Sequence, residues 1–472
     1  MFKSPASDPV PDPEPTPAPP PEPAEPPRTS RSVAPAPLPD QASGIAKGEP
    51  DSASNNWRVV PRVLLFVPRL VVEVVNAPAR GALYAMDRYA IGERTKDVFF
   101  NDERTVGVYP VGAVTSGFGL TIGARFIHRD LFGDREQFSM RASFGGTFNQ
   151  QYSAELSSGR RFGRRLKLTA EAEYSIDPKD RFFGIGNGDE VAATGMPVDP
   201  YANPIAIDTR YRETATRVYG GARVRLGGPV SARLTSGVLW KRFGSSSPDD
   251  IMPGDDIAEH YLTAAIPAFE QGAAYSYNEL ELRYDSRRAS NIWERSSLPS
   301  TGWLLLGYGG VARSFDRGPV RYIRFGGDVQ RYIRLAEGPR VLALRLTAEE
   351  VRGQDASIPF SDLPVLGGPQ LLRGYAKDRF RDRAMAMASV EYQFDLGQSM
   401  AGFLFSDIGR VYPTLTEVTA KDLRIGYGGG LQVHGSRSYV GRLTVGSSTD
   451  GGLFFNLSFD PINTPQKRLE LD

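Results

Sequence analysis

The chain has 472 residues, and its 56 lysine and arginine residues nearly balance its 55 aspartate and glutamate residues. This balance leaves no global positive field, so we predict no nucleic-acid partner. The chain contains no cysteine, which excludes disulfides and thiolate metal sites. The three histidines, His128, His260 and His434, are far apart in sequence, so we predict no metal site and no cofactor.

The beginning of the chain divides into two segments of different composition. Residues 1–56 are dominated by proline, alanine and acidic residues, which is typical of a disordered, extended tail. Residues 57–90 are strongly apolar but are interrupted by Pro61 and Pro68. We assign 57–105 to an amphipathic helix and linker. Three placements of this helix stay open: against the domain that follows, at a membrane interface, or as a plug.

No run of about 18 apolar residues occurs, so the sequence contains no conventional transmembrane helix. The first residues also lack the apolar core of a signal peptide. Either the signal is absent from this numbering or the protein is not exported.

From about residue 106 onward the hydrophobic pattern has a period of two. In one segment Leu280 and Leu282 alternate with Glu279 and Glu281. Because successive side chains of a strand point to opposite faces, each strand has an apolar and a charged face. The segments exceed the five or six residues usual for strands of a soluble sandwich, and charges of both signs on one face are typical of a hydrated lumen. The pattern therefore predicts an all-β transmembrane protein.

About sixteen such segments follow one another, which predicts a 16-stranded antiparallel outer-membrane β-barrel over residues 106–460 and a C-terminal tail at 461–472. The three longest connections, near 177–211, 244–276 and 354–381, all follow odd-numbered strands. They therefore project from one end, as the outer loops of such barrels do. We expect the tail before the barrel to lie in the periplasm. The predicted strands are 106–117, 119–129, 136–149, 151–161, 164–176, 212–226, 230–243, 277–287, 302–315, 322–335, 340–353, 382–396, 400–412, 424–435, 438–449 and 453–460.

One connection and one strand carry complementary charges. The connection near 354–381 contains Leu372-Arg373-Gly374-Tyr375, and a later strand contains Phe405-Ser406-Asp407-Ile408-Gly409. A guanidinium inside a partly water-excluded barrel needs a partner, and an arginine–carboxylate pair makes two parallel hydrogen bonds. We predict that Arg373 folds back into the lumen and binds Asp407, so that the loop is locked inside the barrel.

Small and aromatic residues should support this contact. Gly374 allows a sharp turn next to the wall, and we expect Tyr375 to pack on Phe405 or on a glycine-rich strand. The predicted loop-lock motif is Leu372, Arg373, Gly374 and Tyr375, and its predicted partners on the barrel wall are Phe405, Asp407, Gly409, Gly428 and Gly430.

From about Val106 to Phe459 the sequence resembles the BamA/TamA outer-membrane assembly superfamily, whose barrel is called the bacterial surface antigen domain. The resemblance implies a bacterial outer-membrane location among lipid and lipopolysaccharide. It also implies a role in outer-membrane biogenesis, through protein insertion, translocation or lipid transport. The matching motifs are Leu372-Arg373-Gly374-Tyr375 in the sixth outer loop, Phe405-Ser406-Asp407-Ile408-Gly409 on strand thirteen, Asp285-Ser286-Arg287 with Pro299 and Gly302, and Phe182-Phe183-Gly184-Ile185-Gly186-Asn187.

Three features depart from the family. No periplasmic POTRA domain is apparent before residue 106, which puts protein insertion in doubt. Gln432 stands where the family often has arginine, so we expect a weaker polar cluster under the loop. Finally, residues 460–472 follow the terminal aromatic residue Phe459.

The family also implies a weak seam between the first and last strands that can open sideways. The last predicted strand is short and follows Gly451-Gly452, which is consistent with such a seam. Two alternatives to biogenesis stay open: a plugged pore for small solutes, and a structural anchor whose N-terminal region reaches a periplasmic or outer-membrane protein. We predict no enzymatic activity, because the isolated histidines have no obvious catalytic neighbours. The predicted seam residues are Val106, Val108, Leu453, Phe455 and Phe459.

Overall fold

The computed structural model describes the barrel with short gaps. The tail at 1–56, the segment at 57–90, the tail at 461–472 and Phe459 lie outside the described residues. The described residues are 99–103, 105–115, 119–145, 149–192, 196–201, 205–246, 256–288, 299–315, 318–335, 340–397, 400–434 and 439–458.

Within these residues sixteen antiparallel strands form a closed barrel, and each strand pairs with its neighbour in the chain. The 16-stranded prediction is therefore confirmed. None of the helices in the described ranges is long and apolar enough to cross a membrane. The strands are β1 Val106–Thr115, β2 Gly119–His128, β3 Gln137–Gly145, β4 Asn149–Ser157, β5 Leu166–Phe182, β6 Thr209–Gly227, β7 Val230–Ser245, β8 Ala273–Asp285, β9 Gly302–Arg313, β10 Arg321–Arg334, β11 Arg340–Gly353, β12 Ala384–Gly397, β13 Met400–Tyr412, β14 Arg424–His434, β15 Tyr439–Ser448 and β16 Leu453–Ser458.

The alternation in the sequence divides side chains between lipid and lumen. On β8, Leu280 is 52% exposed and Leu282 is 54% exposed, whereas Glu279 and Glu281 are each only 3% exposed. Because carboxylates in the lumen need partners, the interior is crossed by ion pairs. For example, Arg233 of β7 donates to Glu281 at 2.7 Å. The wall is therefore apolar outside and hydrogen-bonded inside, as predicted.

Several strands extend beyond their predicted ends, and β5 does so by the most residues. β5 and β6 were expected at 164–176 and 212–226, but they pair as far as Phe182 and Thr209. The register is irregular between Asp177 and Asp180, and this interval includes Pro178, which cannot donate a ladder hydrogen bond. The sequence therefore indicated a turn where the hairpin continues past an irregularity.

The long connections 183–208, 246–272 and 354–383 lie at one end of the barrel, as predicted. They pack around Phe360, which is fully buried. Its ring centroid lies 5.6 Å from that of Phe182 and 5.2 Å from that of Tyr211. Such aromatic pairs contribute roughly 0.5–1.5 kcal/mol each beyond the area they bury. This outer aromatic cluster positions the start of the connection 354–383 over the lumen.

The barrel closes through a short contact. Within the described residues, β1 and β16 share two residue pairs, Val114 with Leu457 and Thr115 with Asn456. By comparison, the ladder between β10 and β11 runs without interruption from Tyr322 to Arg334. The seam is therefore much shorter than this ladder on the far side of the barrel.

The predicted seam residues are only partly placed at this contact. Val106 and Val108 pair with β2, and the described residues give them no partner on β16. Instead Phe100 forms an isolated antiparallel bridge with Gly107, which lies between them. The chain before β1 thus covers an edge that we had expected the last strand to reach. Leu453 and Phe455 belong to β16 and pair with β15.

We expect the short seam to lower the local stability of β16. In lipid, the amides of β16 should exchange with deuterium about tenfold faster than those of β11. A tenfold faster exchange rate corresponds to an opening free energy that is lower by only about 1.4 kcal/mol. Mass spectrometry of peptides from the two strands measures both rates in one sample. Equal protection of β16 and β11 would contradict a weak seam.

Candidate functional site

The connection 354–383 carries the loop-lock motif into the barrel. A short hairpin, Val365–Leu366 with Phe380–Arg381, brings its two halves together. At the tip Leu372 has a φ of 53°, a left-handed conformation that costs a non-glycine residue roughly 1–2 kcal/mol. Its side chain is fully buried, and its amide lies 3.0 Å from the sulfur of Met387. Tight packing thus holds the backbone that presents the next residue, Arg373.

Arg373 binds Asp407 through three hydrogen bonds. Its Nε donates to Oδ2 at 2.8 Å, its Nη2 donates to Oδ1 at 2.7 Å, and its backbone amide donates to Oδ2 at 2.8 Å. Both residues are almost completely buried. Burial alone would lower the pKa of Arg373, but Asp407 and Glu391 outweigh it and raise that pKa above its usual value. The guanidinium is therefore permanently charged.

Three further residues complete the cluster, and the sequence analysis missed all of them. Ser389 accepts from Arg373 Nη2 at 3.0 Å and donates to Asp407 Oδ1 at 2.6 Å. Glu391 Oε2 lies 2.5 Å from both Arg373 Nη1 and Arg442 Nη2. Ser389 and Glu391 follow the inward alternation of β12, which was the only signal available for them.

Gln432 lies beside a second arginine of the cluster. Gln432 of β14 faces Arg442 of β15 across the ladder, and its side-chain oxygen accepts a hydrogen bond from Arg442 at 3.3 Å. Arg442 also lies over the ring of Phe403, 3.4 Å from the centroid. The second guanidinium at Glu391 is thus that of Arg442 on the neighbouring strand.

A floor of glycines on β14 and β15 receives the loop backbone. A Cβ atom on Gly374 would lie 2.1 Å from the carbonyl oxygen of Ser447, and one on Gly426 would lie 1.7 Å from that of Arg373. Gly374 also has a φ of 99°, which disfavours other residues. No larger residue fits these two positions without moving the loop. Of the other predicted glycines, Gly428 faces the ring of Phe405, Gly430 that of Phe403, and Gly409 the side chain of Leu366.

Tyr375 contacts another aromatic residue of its own loop. Its ring packs edge-on against Phe380 within the loop, with centroids 5.1 Å apart. Phe405 is instead covered by the guanidinium of Arg373, 3.8 Å from the ring centroid. Tyr375 therefore supports the loop from within, while Phe405 contributes a cation–π contact to the lock.

A second anchor lies earlier in the same connection, at Asp362. Lys241 of β7 donates to its Oδ1 at 2.7 Å, and Tyr275 of β8 donates to its Oδ2 at 2.7 Å. Arg324 of β10 donates to its backbone carbonyl. Although burial opposes it, Lys241 and Arg324 lower the pKa of Asp362. No sequence signal identifies this anchor, because nothing around Asp362 indicates its three distant partners.

The Phe182–Asn187 motif fastens the outer loops to the wall. The side-chain amide of Asn187 bonds both backbone groups of Val411, as a neighbouring strand would. It donates to the carbonyl of Val411 at 2.8 Å and accepts from the Val411 amide at 3.1 Å. The amide of Gly186 donates to the carbonyl of Arg381 at 2.7 Å. Arg379 donates to the carbonyl of Gly188 at 2.8 Å. Arg379 and Arg381 thus link the connection 354–383 to the connection 183–208.

We expect removal of either partner of the lock to cost about 3–5 kcal/mol, because a buried charge loses its counter-charge. Arg373→Ala and Asp407→Ala should each lower the free energy of unfolding by that amount, and the double variant should lose less than their sum. Denaturant titration in liposomes, followed by heat-modifiable gel mobility, measures these differences. Arg383→Ala is the control, since its pair with Asp355 is exposed and should be worth less than about 1 kcal/mol. Strictly additive losses would refute the coupling.

Comparisons with known proteins complete the description of the site. The Omp85 superfamily domain matches residues 130–438. No curated protein sequence matches the chain significantly. Among solved structures, BamA from Haemophilus ducreyi lacking POTRA domains 1-3 is 15% identical, with a TM-score of 0.51, over 75% of this chain and 69% of that one.

Two further solved structures match at a lower TM-score. CdiB from Acinetobacter baumannii is 11% identical, with a TM-score of 0.45, over 75% of this chain and 59% of that one. CdiB from Escherichia coli is 10% identical, with a TM-score of 0.45, over 75% of this chain and 62% of that one. Because the matching domain spans well over half of the sequence, the chain belongs to the Omp85 superfamily of outer-membrane β-barrels.

Proposed function

We propose that this barrel inserts or translocates proteins at the outer membrane, and that its β1–β16 seam opens sideways during that work. The observation that carries the proposal is the seam itself, which has two residue pairs in the described residues. Separating two pairs breaks far fewer hydrogen bonds than separating a full ladder such as that between β10 and β11. An unpaired strand edge is a template for another strand, and a client strand could add to it.

The loop lock has a complementary role in this proposal. Arg373 holds the tip of the connection 354–383 inside the lumen, and Asp362 holds its beginning. A loop fixed at two points keeps the lumen occupied while the seam changes. The lock would therefore preserve the barrel when the seam contact is lost.

A disulfide across the seam tests the proposal. The chain has no cysteine, so Val114→Cys with Leu457→Cys introduces the only thiols at a paired position. We expect oxidation to reduce the assembly of a urea-unfolded eight-stranded outer-membrane barrel into liposomes to the rate without protein, and reductant to restore it. Heat-modifiable mobility of the client measures assembly.

The control is a pair of the same kind within the barrel wall. Val329→Cys with Leu346→Cys joins β10 to β11 at outward-facing paired positions, and should leave assembly unchanged when oxidised. Full assembly by the oxidised seam variant would refute opening. The plugged-pore alternative has a different signature. If oxidation leaves the planar-bilayer conductance of the seam variant unchanged, and Arg373→Ala raises the conductance, the barrel is a plugged pore instead.

A further inference from the structure

A groove lies on the outside of the barrel where β4 to β7 reach the end opposite the long loops. It has a volume of about 780 Å³. Leu156 and Leu234 stand beside it with exposed side chains, while Ala170, Gly220 and Ala222 form a shallow floor. Outward positions of such barrels face lipid chains, so a depression lined by small apolar residues is a place where one chain can sit closer to the wall than its neighbours.

The groove lies within the depth of one leaflet. Ala170 lies five residues along β5 from Arg165, which is roughly 17 Å along the strand and about 13 Å along the membrane normal for a strand tilted by about 40°. The hydrocarbon core of a bilayer is about 30 Å thick, so half of it is about 15 Å. Phe132 and Phe162 are exposed at the mouth of the groove, at the level where barrels carry an aromatic girdle. The turns below them therefore lie at the headgroups of the periplasmic leaflet.

Those turns carry a surplus of positive charge. The turn between β4 and β5 contains Arg160, Arg161, Arg164 and Arg165, and all four are exposed. Arg161 pairs with Glu136 at 3.2 Å but stays 55% exposed. In the described part of the chain no carboxylate lies within ion-pair distance of the other three. The neighbouring turn between β2 and β3 adds Arg129 and Arg135 as well as Asp130, Asp134 and Glu136.

One more arginine joins this surface from the next hairpin. Arg225 of β6 is exposed, and its amide donates to the carbonyl of Arg165 at 2.8 Å. Guanidinium groups bind phosphate oxygens in a planar, two-point geometry, and a cluster of them at a membrane surface attracts anionic lipid. The groove thus suits the acyl chain of an anionic lipid, and the arginines suit its phosphate.

We propose that this surface binds an anionic phospholipid of the periplasmic leaflet, with an acyl chain in the groove and its phosphate on Arg160, Arg164 and Arg165. The site lies outside the lumen and away from the seam, so it is independent of the loop lock. It would fix the height and orientation of the β4–β7 wall in the membrane.

Local fluorescence quenching tests the site directly. Ser236 lines the groove, and Ser236→Cys gives a single thiol for a bimane label in a chain without cysteine. We expect brominated phosphatidylglycerol to quench this label at about fivefold lower mole fraction than brominated phosphatidylcholine. Leu346→Cys on the lipid-facing side of β11 is the matched control position and should show no preference. In 1 M salt the Debye length falls to about 3 Å, so the preference for phosphatidylglycerol should shrink.

Charge variants separate the site from general attraction. Arg160→Gln with Arg164→Gln and Arg165→Gln should abolish the preference, while the corresponding lysine variant should keep most of it. Arg313 and Arg321 are exposed cross-strand neighbours at the opposite end of the barrel. Arg313→Gln with Arg321→Gln should leave the preference for phosphatidylglycerol unchanged. Heat-modifiable mobility verifies that each variant is folded. Equal quenching by the two lipids at Ser236→Cys, or a preference that survives the triple glutamine variant, would overturn the proposal. So would exclusion of both lipids from the groove.

Discussion

The ion cluster between the loop tip and the wall is the contact on which the interior of this barrel depends. Two guanidinium groups, of Arg373 and Arg442, meet the carboxylates of Asp407 and Glu391 in a setting with almost no exposure. Removing such charges from water is costly, and the cost is offset only where every charge has a partner and good geometry. The cluster satisfies this condition because one loop residue completes a wall that would otherwise hold an excess of negative charge.

The cluster also explains why the surrounding backbone is so restricted. Leu372 takes a left-handed conformation, and Gly374 lies against Ser447 where a side chain would clash. Strain of this kind persists only when neighbouring contacts determine the conformation. The three hydrogen bonds from Arg373 to Asp407 provide that constraint at the tip. Asp362 provides it at the other end of the loop, so the loop is held to the barrel wall at two points.

The sequence predicted the parts of this architecture that have a periodic or local signal. Alternation along each strand identified the lumen face, and loop lengths identified the outer end. The pairing of Arg373 with Asp407 could be expected because two motifs offered opposite charges. Glu391 and Arg442 could not be singled out, since alternation identifies a charged face but not which of its charges meet. Asp362 had no signal, and the extension of β5 was hidden by Pro178, whose usual meaning is a turn.

The two sides of the seam are supported unequally, and this bears on the proposed opening. Phe454 of β16 packs from inside against Phe183 and Ala376, which belong to the outer connections. β15, the partner of β16, carries Ser447, against which Gly374 lies. The last strands are therefore tied to the locked loop. β1 pairs along its length with β2, is bridged at Gly107 by Phe100, and shares two residue pairs with β16 in the described residues. The proposed opening of the seam would therefore leave the ion cluster undisturbed, because none of the cluster residues lies on β1 or β16.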